Sequence, residues 1–289
     1  MRDRVRKPRG RQNFHRHSLP VRLAHWTNFV CLVVLLMSGL AIFNGWPALY
    51  WGIRTHFVHP LLAFFAMRMP SGQVVGITWL FGHSFVTTGW FGLSESGGRT
   101  VVRGFPYWAT LPGPLDLALA RRWHFFFAWI FVINGALYAA YALASGHLWR
   151  DLIPSWWELG GIGRSAWEHA RLRFPAGEEA RHYNVLQKLS YLAVMFGMAP
   201  LMVATGLAMS PWMDAAFPWL VEIFGGRQSA RTIHFITAFA LLAFVLMHIL
   251  MVLVSGAGNN MRAMITGRYR IEEPATAEEN GKNERTAKD

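Results

Sequence analysis

The chain has almost no cysteine and few acids. Cys31 is the only cysteine in 289 residues. An intramolecular disulfide, a cysteine-ligated iron–sulfur cluster and a covalent C-x-x-C-H haem attachment are therefore all excluded. There is no G-x-G-x-x-G stretch, and so no fingerprint for a dinucleotide. Charged residues make up 15% of the chain, against about 25% in soluble domains. The 28 Lys and Arg outnumber the 16 Asp and Glu, for a net charge of +12. In a soluble protein that excess would point to nucleic acid, but its distribution here points elsewhere.

What the chain has in abundance is apolar length. Hydrophobic residues are 53% and aromatics 15%. Four uncharged runs, 24–43, 125–144, 189–209 and 235–254, each have the length a bilayer-crossing helix requires. The first is too long for a signal-peptide core, and no small-residue cleavage site follows it. Twenty of the 28 cations fall in residues 1–22, between the second and third runs, and after the fourth. That bias places both termini in the cytoplasm and makes nucleic acid an unneeded partner. The expected protein is an all-α, multi-pass protein of the bacterial inner membrane. Its organisation is a basic N-terminal segment (1–19), mobile until Pro20, and a four-helix membrane domain (20–270). A disordered cytoplasmic tail (271–289) follows. A long outer loop spans 44–120 and an inner loop 148–188. Cys31, inside the first run, reads as a small core residue.

Ionisable residues at membrane depth are costly, which makes histidine the informative type. His234 and His248 are 14 residues apart on the fourth run, about 21 Å along a helix and on nearly one face. With both termini inside, His124 joins His234 on the outer side and His25 joins His248 on the inner side. Four imidazoles in two couples suit two non-covalent, b-type haems stacked across the bilayer. The inner couple matches less well in depth, an offset that tilt absorbs. Taken singly, each histidine is equally explained by a hydrogen bond to a neighbouring helix. His147, at the inner end of the second run, has no evident partner and reads as a solvated helix end.

Smaller features fall in with this pattern. Arg22, Arg121 and Arg231 each precede a histidine by three residues. They are neighbours on a helix, able to meet haem propionates or simply to anchor at the interface. Gly39 follows His25 by 14 residues and Gly135 follows His124 by 11; each is a packing glycine or leaves room for a porphyrin. Pro200 is expected to kink the third helix. In the outer loop, 57–67 and 74–81 are apolar but too short to span, and read as interfacial or re-entrant pieces. The couples survive only if this loop crosses the membrane zero times or twice. Its tryptophans suit a docked partner or the lipid surface.

Seven stretches carry a resemblance: HSLPVRLAHW, MSGLAIFNGWPALYWG, RRWHFFFAWIFVINGALY, YNVLQKLSYL, TGLAMSP, GGRQSARTIHF and HILMVLVSG. The chain resembles the di-haem b-type cytochrome subunits of Ni/Fe-hydrogenases and formate dehydrogenases. It is most similar to the branch called thiosulfate reductase cytochrome b subunits. The resemblance implies His124 and His234 on an outer haem iron, and His25 and His248 on an inner one. It implies electron transfer between the quinone pool and an external redox subunit, here a periplasmic molybdopterin oxidoreductase. Quinone is expected near the inner haem, where Tyr183, Asn184 and Gln187 offer hydrogen bonds and His182 can titrate. The alternative for those residues is a polar helix start capped by Asn184. The alternative for the whole chain is a haem-free membrane anchor or a proton-handling transporter subunit.

Overall fold

The structure is a computed structural model that describes residues 11–55, 59–171 and 184–272. These form two compact units. One holds 11–23, 140–171, 184–192 and 245–272, and the other 24–55, 59–139 and 193–244. In chain order, β1 (Arg11–His15) precedes α1 (Leu19–Phe43). Six strands follow: β2 (Ala48–Leu49), β3 (Leu62–Arg68), β4 (Val74–Leu80), β5 (His83–Val86), β6 (Gly92–Ser96) and β7 (Arg99–Arg103). Then come α2 (Leu117–Ala144), α3 (Trp156–Gly160), α4 (Ile162–Ala170), α5 (Val185–Leu192), α6 (Ala199–Ala208), α7 (Pro211–Ala216) and α8 (Pro218–Ile223). The chain closes with α9 (Arg227–Val254), α10 (Ala257–Thr266) and β8 (Arg268–Glu272).

Among the described residues, four helical stretches are long and apolar enough to cross a membrane: Leu19–Phe43, Leu117–Ala144, Val185–Ala208 and Arg227–Val254. They coincide with the four runs and extend them at their leading ends. The third stretch is not uniform. Residues Ala193–Met198 form a π-turn between α5 and α6, directly before Pro200. Proline has no N–H to give and its ring crowds the carbonyl one turn back, so a wider turn relieves the clash.

The all-α expectation needs correction in the outer loop. Its two short apolar pieces, expected as interfacial or re-entrant, supply strands β3 and β4. Strands β2–β3–β4–β5 form an antiparallel meander, and β6–β7 a separate hairpin. Leu80 pairs with His83 across Phe81-Gly82, both at positive φ (46° and 90°). Ser96 pairs with Arg99 across Gly97-Gly98, again both positive (58° and 73°). Two-residue turns of this kind match the twist of the strands they join. The unpaired edges of an open sheet are costly in hydrocarbon unless protein covers them.

The module is fixed to the second unit's helices by an aromatic core. Phe43, Leu49, Phe64 and Phe105 are buried together, with Phe91, Phe235 and Phe239 packed against them. Ring centroids are 4.8 Å apart for Phe43–Phe235 and for the stacked Phe64–Phe91. Polar ties reinforce the join: Asn44 Nδ2 donates to Phe105 O at 3.1 Å, and Phe105 N donates to Asn44 Oδ1 at 2.6 Å. Arg103, only 3% exposed, donates to Phe105 O, Gly113 O and Thr110 Oγ1. Desolvation holds its guanidinium below the usual arginine range, partly offset by Tyr107.

In the first unit, β1 pairs antiparallel with β8, Arg11 opposite Glu272 and His15 opposite Arg268. Within the expected N-terminal segment, Arg11–His15 thus form a strand. The expected tail beyond Glu272 and residues 1–10 lie outside the described residues, as do Phe57 and Val58 of the first short apolar piece. Ser155 caps α3 in a reciprocal box with Glu158. Glu158 also accepts from Lys188 Nζ at 2.8 Å.

Candidate functional site

His124 and His234 are each the eighth residue of their helix, on α2 and α9. The sequence had placed them just before the apolar runs. Residues Leu117–Trp123 and Arg227–Ile233 are helical too, which sinks both imidazoles two turns into their helices. The two rings meet within the second unit, with centroids 6.3 Å apart and planes at 62°.

Each ring is received by another helix at a small-residue dipeptide. His124 rests on Ser38-Gly39 of α1. A Cβ added at Gly39 would stand 3.4 Å from His124 Cε1 and 3.8 Å from Nδ1. Ser38 Oγ lies 3.0 Å from His124 Nδ1. His234 rests on Thr205-Gly206 of α6 in the same manner. A Cβ at Gly206 would stand 3.5 Å from His234 Cε1 and 3.9 Å from Nδ1, and Thr205 Oγ1 lies 3.0 Å from Nδ1. Gly39 thus leaves room for an imidazole of the outer couple, a more specific role than either reading of it from sequence. At Gly135 nothing lies within 4 Å of an added Cβ. The Asn134 side chain beside it donates to Ala24 O at 3.0 Å and to Asn28 Oδ1 at 2.8 Å, joining α2 to α1.

The couple meets the demands of a metal held by two imidazoles. Two rings each bound through one nitrogen at about 2.0 Å would have centres about 6 Å apart, close to the distance found. The donors are neutral nitrogens, as haem iron takes. The glycines give the rings space that a side chain would fill. No cluster of three or more His, Cys, Asp or Glu suited to a metal occurs among the described residues; a haem asks for only two.

The other expected site residues are placed as follows. His25 lies on α1 in the second unit, its ring 5.2 Å from Trp26 and edge-on to it. His248 is half-buried on α9 in the first unit. Arg231 donates through its two terminal nitrogens to Trp46 O and to Ala48 O, the latter at 3.0 Å, and lies over Phe43. It ties the outer module to α9. Arg121 is exposed, its guanidinium 5.7 Å from the Phe125 ring centre. Arg22 donates to Ile265 O at 2.9 Å. His147 lies just past the end of α2, before the π-turn Leu148–Leu152, with its ring 6.4 Å from Tyr141. Asn184 Oδ1 accepts from Leu186 N at 3.0 Å, and Gln187 Oε1 accepts from Asn184 N at 3.2 Å. That is a reciprocal cap on α5. Tyr183 and His182 lie outside the described residues. Cys31 is buried, as expected.

Sequence reasoning missed Ser38, Thr205 and Gly206. A signal was present: Ser38-Gly39-Leu40-Ala41 and Thr205-Gly206-Leu207-Ala208 are the same tetrapeptide but for a methyl group. It stands once on each histidine-receiving helix.

The family model described as prokaryotic cytochrome b561 matches residues 71–267, more than half of the chain. The chain belongs to the prokaryotic cytochrome b561 family. This cytochrome is 28% identical over 247 residues to a protein of Azospira oryzae named as a protein-methionine-sulfoxide reductase subunit, YedZ1. That alignment covers 86% of this chain and 93% of the relative. It is 26% identical over 185 residues to a Cupriavidus necator protein named as an Ni/Fe-hydrogenase B-type cytochrome subunit, covering 56% of this chain and 73% of the relative. No solved structure matches. The family and the four apolar helices make this cytochrome a multi-pass membrane protein. It is a b-type cytochrome, an electron-transfer subunit of the kind that serves an oxidoreductase.

Proposed function

We propose that this cytochrome carries two b-type haems and moves electrons between the quinone pool and a redox protein on the outer face. In this reading His124 and His234 hold the outer haem, and His25 and His248 the inner one. The observation that carries it is the facing couple of His124 and His234, each lodged against a glycine. His248 follows His234 by 14 residues on one unbroken helix, α9. That spacing offers a second imidazole on nearly the same face, about 21 Å further in.

Held by two imidazoles each, the haems would supply one-electron transfer. The chain's own residues do the rest. The histidines bind the iron and fix its depth. Phe235, next to His234, packs with Phe43, Phe105 and Phe239. Arg22, Arg121 and Arg231 supply positive charge one turn nearer each surface, where propionates emerge. Arg231 does so while holding the loop.

The positive-inside count supports cytoplasmic termini, and an even number of spans agrees with it. The outer face then carries the β module, with Phe81 70% and Trp108 67% exposed. A redox partner there is favoured by the reductase and hydrogenase subunit names of both relatives. A periplasmic molybdopterin oxidoreductase is the partner that the sequence resemblance implies. Quinone exchange is placed at the inner end. Asn184 and Gln187 already satisfy the start of α5, so they would serve quinone only by giving up the cap.

The test is reduction of the purified, haem-replete protein by a quinol analogue in mild detergent. The expected result is a reduced-minus-oxidised b-type band that the quinol develops and an external oxidant discharges. No b-type band in protein from haem-replete cells would overturn the reading.

A further inference from the structure

We propose that Ser38 and Thr205 are positioning residues that fix the tautomer of His124 and His234 and set the potential of the haem they hold. This rests on the reading that these histidines are ligands of one haem. Each hydroxyl has a single proton to donate. Ser38 Oγ donates to Val34 O at 2.6 Å, the carbonyl one turn back on its own helix. Thr205 Oγ1 donates to Leu201 O at 2.6 Å in the same way. With that proton spent, each hydroxyl can only accept from the imidazole 3.0 Å away. The hydrogen therefore sits on Nδ1 of both histidines. The lone pair sits on Nε2, the nitrogen left to bind a metal.

The same construction occurs twice. α1 receives the ring of α2, and α6 receives the ring of α9, each by a hydroxyl followed by a glycine. Ser38 and Thr205 are both 0% exposed. A buried polar side chain within an apolar helix is costly unless it is fully bonded, and these two are bonded on both sides. Helix packing alone would ask for a small residue, which alanine supplies; it would not ask for an oxygen facing an imidazole.

The acceptor on Nδ1 tunes the iron. A strong acceptor such as carboxylate makes the imidazole a richer donor and favours the ferric state. A hydroxyl that is already donating is a mild, neutral acceptor. Removing it leaves the ring a poorer donor and favours the ferrous state, so the potential rises.

The experiment is a redox titration of detergent-purified Thr205→Val, Thr205→Ser and Ser38→Ala beside wild type, with haem per protein counted in each. Valine keeps the shape of threonine and removes only the oxygen; serine keeps the oxygen. One of the two haems is expected to titrate at higher potential in Thr205→Val and in Ser38→Ala, the same haem in both. Thr205→Ser is expected to titrate like wild type. Loss of that haem in Thr205→Val with retention in Thr205→Ser also supports the proposal. Wild-type potentials in Thr205→Val, or equal displacement or haem loss in Thr205→Val and Thr205→Ser, would overturn it. His124→Ala and His234→Ala, run alongside, report on the underlying reading. If both keep two haems, the ligand assignment has failed; if they lose one while the hydroxyl variants titrate unchanged, only this proposal has failed.

Discussion

Gly206 and Gly39 each face an imidazole of the couple. At each, an imidazole edge occupies the space a branched side chain would need. Gly206→Leu should displace His234 and leave about half the wild-type haem per protein, with the protein still inserted in the membrane. Haem content and membrane-fraction yield, measured together, check this. Unchanged haem content would mean the His234 ring does not lie where its contact with Gly206 puts it. A different residue, Glu158, gives a dependence on pH. Lys188 first, then the Ser155 backbone N–H, hold its carboxyl below the usual carboxylate range. A depressed carboxylate contributes stability that is present above the unfolded value of about 4.3 and lost as pH falls through the folded value. Protection of α3 and the start of α5 in hydrogen exchange should therefore exceed that of Glu158→Gln at neutral pH. The difference should close under acid, and a constant difference down to the lowest pH would contradict the pairing. At this scale the meeting of His124 and His234 was legible because an ionisable group in an apolar run has few explanations. Ser38 and Thr205 were not, because a hydroxyl in such a run also satisfies itself on its own helix. Only the facing helix reveals that it does both.

Among the elements, the four spanning helices could be read from length and charge alone, since a bilayer leaves few alternatives. The β module could not, because apolar pieces such as Leu62–Arg68 and Val74–Leu80 look alike as buried strands or short helices. The deciding signals were local. Phe81-Gly82 and Gly97-Gly98 each separate two short runs by two residues, the signature of a tight hairpin. The sheet's attachment to α1 and α9 follows from Phe105, which touches Phe43, Phe64, Phe91 and Phe235 at once. Phe105→Ala should cost about 3–5 kcal/mol, seen as a lower melting temperature of the detergent-solubilised protein. The outer couple should loosen with it, since Phe235 adjoins His234. A melting temperature within a degree of wild type would mean the module is not fixed through this cluster.

For the whole molecule, the sequence carried the number of spans, and family membership supplies the haem type. What the sequence could not provide was which helix receives which histidine, because packing partners are set by contacts between helices and not by any one of them. The structure brings α1, α2, α6 and α9 together around one couple in the second unit, and the account stands or falls there. The most direct measurement is haem per protein in purified His124→Ala and His234→Ala, singly and combined. The account predicts that each single variant retains one haem of two, and that the double variant retains that same one. Two haems in either single variant, or none left in the double, would contradict it.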